Sequence, residues 1–310
     1  MSSDPSNRLP AISLAAVPGR RQRTVELASE IERRGFTGIF CPSLGDAMSL
    51  CLSIAQVTET IEFGTAIQPI YFQHPGALAA TAGYINEIAE GRFRLGLGVT
   101  HGPVHDRMGF EVGKPLSDMR DYVTAMRGAA DNVGGLPPIT LATLRDKMVG
   151  LSVEVSEGAV WANASRSRMG HSIGLIPQDR IDDGFYVGNM IPTVIDDDRE
   201  AAADRNRATL SGYVALPNYR NYWKDAGYEE EMAAVEAALA NPDRDAAKAG
   251  VKAAMSERWL SDCTLYGSVG EVREGVEAWM DAGVPSPILV PSSTSGGQMK
   301  AFDELFAAFG

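Results

Sequence analysis

The stretch from Gln68 to His105, QPIYFQHPGALAATAGYINEIAEGRFRLGLGVTHGPVH, decides the fold. His74-Pro75 opens a helix, since proline is tolerated in a first helical turn where its missing N–H removes no bond. His74 is expected to cap it. Gly91 closes that helix, and the apolar run from Phe93 to Val99 follows at once. A short apolar run bounded by turn residues reads as a buried strand. It stops at Thr100-His101-Gly102-Pro103, which reads as the start of a long polar loop. Helix, buried strand and polar loop in this order belong to an α/β protein. In such proteins ligands sit beyond the ends of the parallel strands.

The same alternation extends in both directions. Strands are expected at 11–17, 38–41, 61–67, 93–99, 139–143, 159–163, 185–194 and 288–290, with helices between them. The triplet Asp196-Asp197-Asp198 is expected to cap the helix after the seventh strand, where carboxylates suit the positive end of a helix dipole. Residues 212–262 break the rhythm. They are Ala-rich and helical by propensity, interrupted at Asn241-Pro242, and read as a helical insertion. Gly267-Ser268-Val269-Gly270 then begins what reads as the last full helix. Eight strands alternating with helices predict a TIM (β/α)8 barrel, with an open doubly wound sheet as the alternative. A single barrel typically takes about 250 residues, so residues 1–310 are expected to form one domain carrying an insertion.

Composition narrows the function classes. Apolar residues make up 45% and charged residues 22%, which is ordinary for a globular protein. The formal charge of −12 argues against nucleic acid or an anionic membrane surface as partner. Cys41, Cys51 and Cys263 are too few and too scattered for a disulfide framework and suit a reducing, cytoplasmic setting. No apolar run approaches the roughly 20 residues of a membrane helix. The N-terminal MSSDPSNRLP has no signal-peptide core and is expected to be a short flexible lead-in.

Several residues carry chemistry. Gly96-Leu97-Gly98-Val99-Thr100-His101-Gly102 looks like a dinucleotide fingerprint, but its third glycine comes one position late, and a loop rather than a helix is expected next. Gly96 and Gly98 instead suit close approach at the strand end, by a flat ligand ring or by neighbouring chain. His101 and His105 have metal-ligand spacing, yet Gly102-Pro103 is expected to break the helix that would align them, so no metal is assigned. His101 is placed to hydrogen-bond a ligand. Cys41 has no activating base nearby and reads as a core cysteine. Arg145, Arg166 and Arg168 follow the fifth and sixth strands, where helix N-termini add anion-binding N–H groups.

Taken together these residues resemble the bacterial luciferase-like family of flavin- and deazaflavin-dependent oxidoreductases. The resemblance covers most of the chain and is most specific at Gln68-Pro69, His74-Pro75 and GRFRLGLGVTHG, 91–102. It implies a TIM barrel with the cofactor ring at the C-terminal mouth. Gly64-Thr65-Ala66 matches the strand end where the family often carries a non-proline cis peptide against the ring. Thr100 and His101 match ring contacts, with Gly98 beneath. Thr143, Leu144 and Arg145 match the end that approaches the phosphate, where relatives often place glycine. Trp161, Ala162 and Asn163 match the sixth strand end, with Arg166 beyond it. Cys41-Pro42-Ser43 takes the place where some relatives carry a histidine or an acid. The implied cofactor is coenzyme F420, with FMN as the alternative. The implied activity is hydride transfer to or from a small organic substrate, with His101 or Ser43 handling a proton. An FMN monooxygenase and a non-catalytic flavin-binding protein are the alternatives. A homodimer or larger homo-oligomer is expected.

Overall fold

The computed structural model describes residues 8–310. The greater part of the expected lead-in, residues 1–7, lies outside them. The strands are β1 (Ala11–Ser13), β2 (Gly38–Cys41), β3 (Glu62–Thr65), β4 (Gln68–Pro69), β5 (Phe93–Gly98), β6 (Ile139–Ala142), β7 (Gly158–Ala162), β8 (Tyr186–Ile195), β9 (Leu265–Gly267) and β10 (Ser286–Ser292). Helices intervene, among them Arg21–Arg33, Ala47–Val57, Pro75–Ile88, Pro115–Gly128, Asp146–Val155, Arg166–Ile173, Arg199–Val214 and Val269–Asp281. The fold is a parallel β barrel flanked by helices, of the TIM-barrel class, with a helical insertion. The doubly wound alternative is set aside.

Chain contacts divide the described residues into two units. The first comprises 8–162 and Gly174–Gly188, the second Asn163–Ile173 and Asn189–Gly310. In the first, β1, β2, β3, β5, β6 and β7 are successive parallel neighbours, and β4 also pairs with β5. Buried β-branched and aromatic residues such as Ile12, Ile39, Phe63 and Phe93 fill these strands, as expected when both faces are covered. In the second, β8 pairs with both β9 and β10.

Glycines set the spacing of the first unit. A Cβ at Gly64 would lie 2.2 Å from the Arg94 carbonyl oxygen, and one at Gly96 only 2.0 Å from that of Thr65. A Cβ at Gly98 would meet the Ile67 side chain at 2.6 Å. The chain from β3 to β4 therefore lies directly over β5, and the Thr65 hydroxyl donates to the Gly96 carbonyl at 2.7 Å to close the contact. A cis peptide joins Ala66 to Ile67, one residue beyond the matched triplet.

The expected insertion is present as Pro217–Asp225, Glu229–Leu239, Arg244–Ala254 and Glu257–Cys263. It breaks at Asn241, whose side chain accepts the Asp243 N–H at 3.0 Å. Trp223 and Trp259, from its first and last helices, pack edge to face at 4.9 Å, a favourable geometry for ring quadrupoles. Asp198 caps Arg199–Val214 by accepting the Ala201 N–H at 3.0 Å. His74 caps Pro75–Ile88 through Nδ1 at 3.2 Å from the Gly76 nitrogen.

Four expectations need correction. β4 and β9 were not foreseen, because runs of two and three residues are too short to show a period. The helix Val269–Asp281 is not the last: Gln298–Phe309 follows β10, burying Ala301, Phe302, Leu305, Phe306 and Phe309 on one face. A short helix, Gln178–Asp182, precedes β8. Gly102-Pro103 does not break a helix but opens one, Gly102–Met108, because proline there occupies the first turn.

Gly96→Ala should destabilise the protein by about 3 kcal/mol, since backbone rather than a flexible side chain blocks the methyl group. Gly150→Ala, in Asp146–Val155 with nothing near its added Cβ, should gain up to about 1 kcal/mol. Urea unfolding of the two variants checks the contrast, and equal effects would refute the close approach.

Candidate active site

The residues singled out from sequence fall mainly on strand ends of the first unit, and they divide into spent and available groups. Cys41 is spent. It is fully buried, its carbonyl accepts the Ala66 N–H at 2.7 Å, and its thiol faces Cys51, whose own thiol burial pushes well up. Thr65 is spent on the Gly96 carbonyl. Gly98 is covered by Ile67 on the side where a Cβ would project, so packing accounts for this glycine. Ser43 is available. It is exposed just before Asp46, the cap of Ala47–Val57, and with Gln68, Pro69, Phe72 and Gln73 it lines a groove of about 230 Å³.

The exit of β5 holds a polar cluster. Thr100 adopts φ 58°, the left-handed region, which a β-branched residue rarely enters. His101 returns to extended backbone, with φ −131° and ψ 151°, and becomes the N-cap residue of Gly102–Met108. Within that helix His105 turns back, its Nε2 2.7 Å from Thr100 Oγ1 and 2.7 Å from the Val99 carbonyl oxygen. Tyr71 meets the His105 ring edge-on at 5.2 Å and donates its hydroxyl to Asp118 at 2.7 Å. Burial, then the neighbouring His105, lowers the pKa of His101 from its ordinary value. Its imidazole is therefore neutral at neutral pH.

At the end of β6, Thr143 is 4% exposed and its hydroxyl has no hydrogen-bond partner among the described residues. A buried polar group left so is expensive unless something satisfies it. Leu144 is half-buried, and Arg145 is exposed as the N-cap residue of Asp146–Val155, giving no side-chain cap. First-turn N–H groups without a side-chain cap and the Arg145 guanidinium stand at this helix start together with the Asp146 carboxylate. On β7, Trp161 is 1% exposed with its indole N–H also unpartnered, and Ala162 is half-buried.

Three expected residues belong to the second unit. Asn163 is buried at φ 57°. Its carbonyl accepts from Trp223 Nε1 at 3.3 Å, while its side-chain Nδ2 is buried with no hydrogen-bond partner among the described residues. Arg166 begins Arg166–Ile173 and is half-exposed. Arg168 donates to the Asp225 carbonyl at 2.9 Å. Sequence reading gave no structural part to Tyr71 or Asp118 and weighed His105 only as a metal ligand. The available signal was Gly-Pro placed to start a helix, which puts a histidine four residues after His101 back over the strand end.

A family model described as luciferase-like monooxygenase matches residues 6–286. The 5,10-methylenetetrahydromethanopterin reductase of Archaeoglobus fulgidus is 25% identical over 261 residues, spanning 76% of this chain and 78% of that one. The coenzyme F420-dependent tetrahydromethanopterin reductase of Methanopyrus kandleri shares the fold with a TM-score of 0.74 at 15% identity, covering 96% of this chain and 97% of that one. An F420-dependent secondary alcohol dehydrogenase in complex with an F420-acetone adduct shares it with a TM-score of 0.69 at 14% identity, over 97% and 99%. With strand-end geometry and a matching model across most of its length, the chain belongs to the luciferase-like monooxygenase family, as an oxidoreductase of the flavin and deazaflavin type.

Proposed function

We propose that this protein is a coenzyme F420-dependent oxidoreductase that moves a hydride between the deazaflavin and a small organic substrate. The observation that carries the reading is the unpartnered, buried Thr143 hydroxyl beside the uncapped helix start at Arg145. These groups fit a cofactor with polar ring edges and an anionic tail. Thr143 offers a hydrogen bond, and the first turn of Asp146–Val155 with Arg145 offers charge-assisted contacts to phosphate. The likeness to a methylenetetrahydromethanopterin reductase supports the deazaflavin over FMN. A homodimer or larger assembly belongs to the same reading.

Bound F420 would supply the two-electron chemistry, while the protein orients it and excludes competing reactions. The chain's own residues then have limited tasks. His101 presents a neutral imidazole beyond β5, while the Thr100 hydroxyl is held by the Val99 carbonyl and His105. A neutral imidazole accepts a proton more readily than it delivers one, so His101 acts as hydrogen-bond partner or base. Ser43, exposed at the groove, is the second candidate for handling a proton. FMN is the second reading for the cofactor, favoured by the monooxygenase description of the family model.

Titrating cofactor-free protein separately with F420 and with FMN, while following ring fluorescence, should show saturable binding of F420 and weaker binding of FMN. Tight binding of FMN alone reverses the cofactor assignment, and failure of both removes the enzyme reading. Binding without turnover of any carbonyl or imine substrate would support a non-catalytic flavin-binding protein.

The lowered pKa of His101 has a sign that can be measured. The unfolded chain protonates this imidazole more readily than the folded one, so stability falls as pH drops through the ordinary histidine value toward the lower folded value. Thermal midpoints at pH 7.5 and pH 5.5 should therefore differ less for His101→Gln than for the natural protein. An unchanged difference would show that His101 is not buried as described.

A further inference from the structure

Three polar atoms form a closed triangle at the exit of β5. Thr100 Oγ1 donates to the Val99 carbonyl oxygen at 2.6 Å, and His105 Nε2 stands 2.7 Å from each. A carbonyl oxygen only accepts, so Nε2 must carry a hydrogen. That fixes the protonation of this nitrogen and makes its N–H shared between the carbonyl and the hydroxyl. The triangle spans the residue whose backbone is left-handed, Thr100 at φ 58°. Such conformations persist in β-branched residues only where the surroundings enforce them.

The clamp is itself held from two sides. The Tyr71 ring abuts the imidazole at 5.2 Å, edge to face. The Tyr71 hydroxyl donates to Asp118 Oδ2 at 2.7 Å, and the same oxygen accepts the Gly113 N–H at 2.8 Å. Phe110 packs on Tyr71 and Phe72 at ring separations of 6.4 and 5.5 Å. Thus the segment after β4 backs onto the imidazole through Tyr71, and the segment leading into Pro115–Gly128 holds Tyr71 in place. His101 lies between the clamp and the helix that carries His105.

We propose that His105 is a positioning residue: by holding the Val99 carbonyl and the Thr100 hydroxyl it fixes the left-handed turn that sets the direction in which His101 leaves β5. The inference deepens the functional reading above and rests on it only in taking His101 as the cofactor contact. His105 touches neither substrate nor cofactor in this role. It acts through the backbone of Thr100.

The test uses the full chain without cofactor, labelled with nitrogen-15 in histidine and with carbon-13 in threonine, and His105→Phe and His105→Gln variants. Phenylalanine keeps the ring against Tyr71 but loses the N–H. Glutamine can present an amide N–H to the same two oxygens. Nuclear magnetic resonance of the natural protein should find the His105 Nε2 protonated and the Thr100 carbon shifts in the left-handed range. His105→Phe should lose those Thr100 shifts while the other threonines stay in place, and His105→Gln should keep them. With the deazaflavin added, His105→Phe should bind about tenfold more weakly and His105→Gln nearly as the natural protein does, the scale expected when a contact is slightly misplaced. A bare Nε2, or Thr100 shifts unmoved in His105→Phe, overturns the proposal. Should neither F420 nor FMN bind the natural protein, the functional reading fails while the cofactor-free spectra still decide the clamp.

Discussion

The candidate site depends on how closely the chain between β3 and β4 lies over β5. Two carbonyl oxygens, those of Arg94 and Thr65, occupy the space where side chains at Gly64 and Gly96 would begin. The Thr65 hydroxyl is committed to the Gly96 carbonyl, and Ile67 covers Gly98. Nothing bulkier than glycine fits these positions without moving backbone, and protein interiors do not absorb such shifts cheaply. The exit of β5 is consequently set by the strand beneath it. The two N–H and O–H donors that meet at the Val99 carbonyl then act on a fixed platform.

The second unit is stabilised by different means. Its insertion contributes an aromatic cluster in which Trp223 lies 5.3 Å from Tyr219 and 4.9 Å from Trp259. Polar groups are tied into that cluster rather than left loose: Tyr222 accepts the Ser165 N–H at 3.0 Å, and Tyr228 donates to Asp262 at 2.8 Å. Burial pushes the phenols of Tyr219 and Tyr222 up, so they stay neutral donors and acceptors. Asn163 and Arg168 are held by this packing through Trp223 and the Asp225 carbonyl. That is a structural use for two residues that sequence reading placed near a ligand.

Much of the architecture was legible because it rests on local signals. Gly38 to Cys41 is bounded by Thr37 and Pro42, and the strand is found there. Asp198, Asp46 and His74 cap helices because their side chains reach a backbone N–H two or three residues on. The failures share a physical cause. β4 and β9 exist through pairing with β5 and β8, and pairing leaves no periodicity in two or three residues. At Gly102-Pro103 the choice between a break and a start turned on whether the preceding residue was already helical. His101 is extended, so proline falls in a first turn. The site was legible as a set of strand ends but not as a division of labour. Whether Thr65 faces a ligand or a carbonyl of the neighbouring strand is a matter of tertiary register, and the same applies to Cys41 and Gly98.

What remains available at the strand ends narrows the chemistry. The groups at these ends are an exposed hydroxyl at Ser43, a buried one at Thr143, an imidazole at His101 whose pKa burial lowers, and an exposed guanidinium at Arg145. Nucleophilic catalysis needs a nucleophile within reach of a base held by a third group. Here the thiol that ends β2, Cys41, is fully buried against Cys51, and the imidazole of His105 spends its Nε2 on the Val99 carbonyl and the Thr100 hydroxyl. Such a set orients and solvates a ligand without attacking it. Cofactor-borne redox chemistry asks for that division, because the reactive atom belongs to the cofactor and the protein supplies placement and electrostatics.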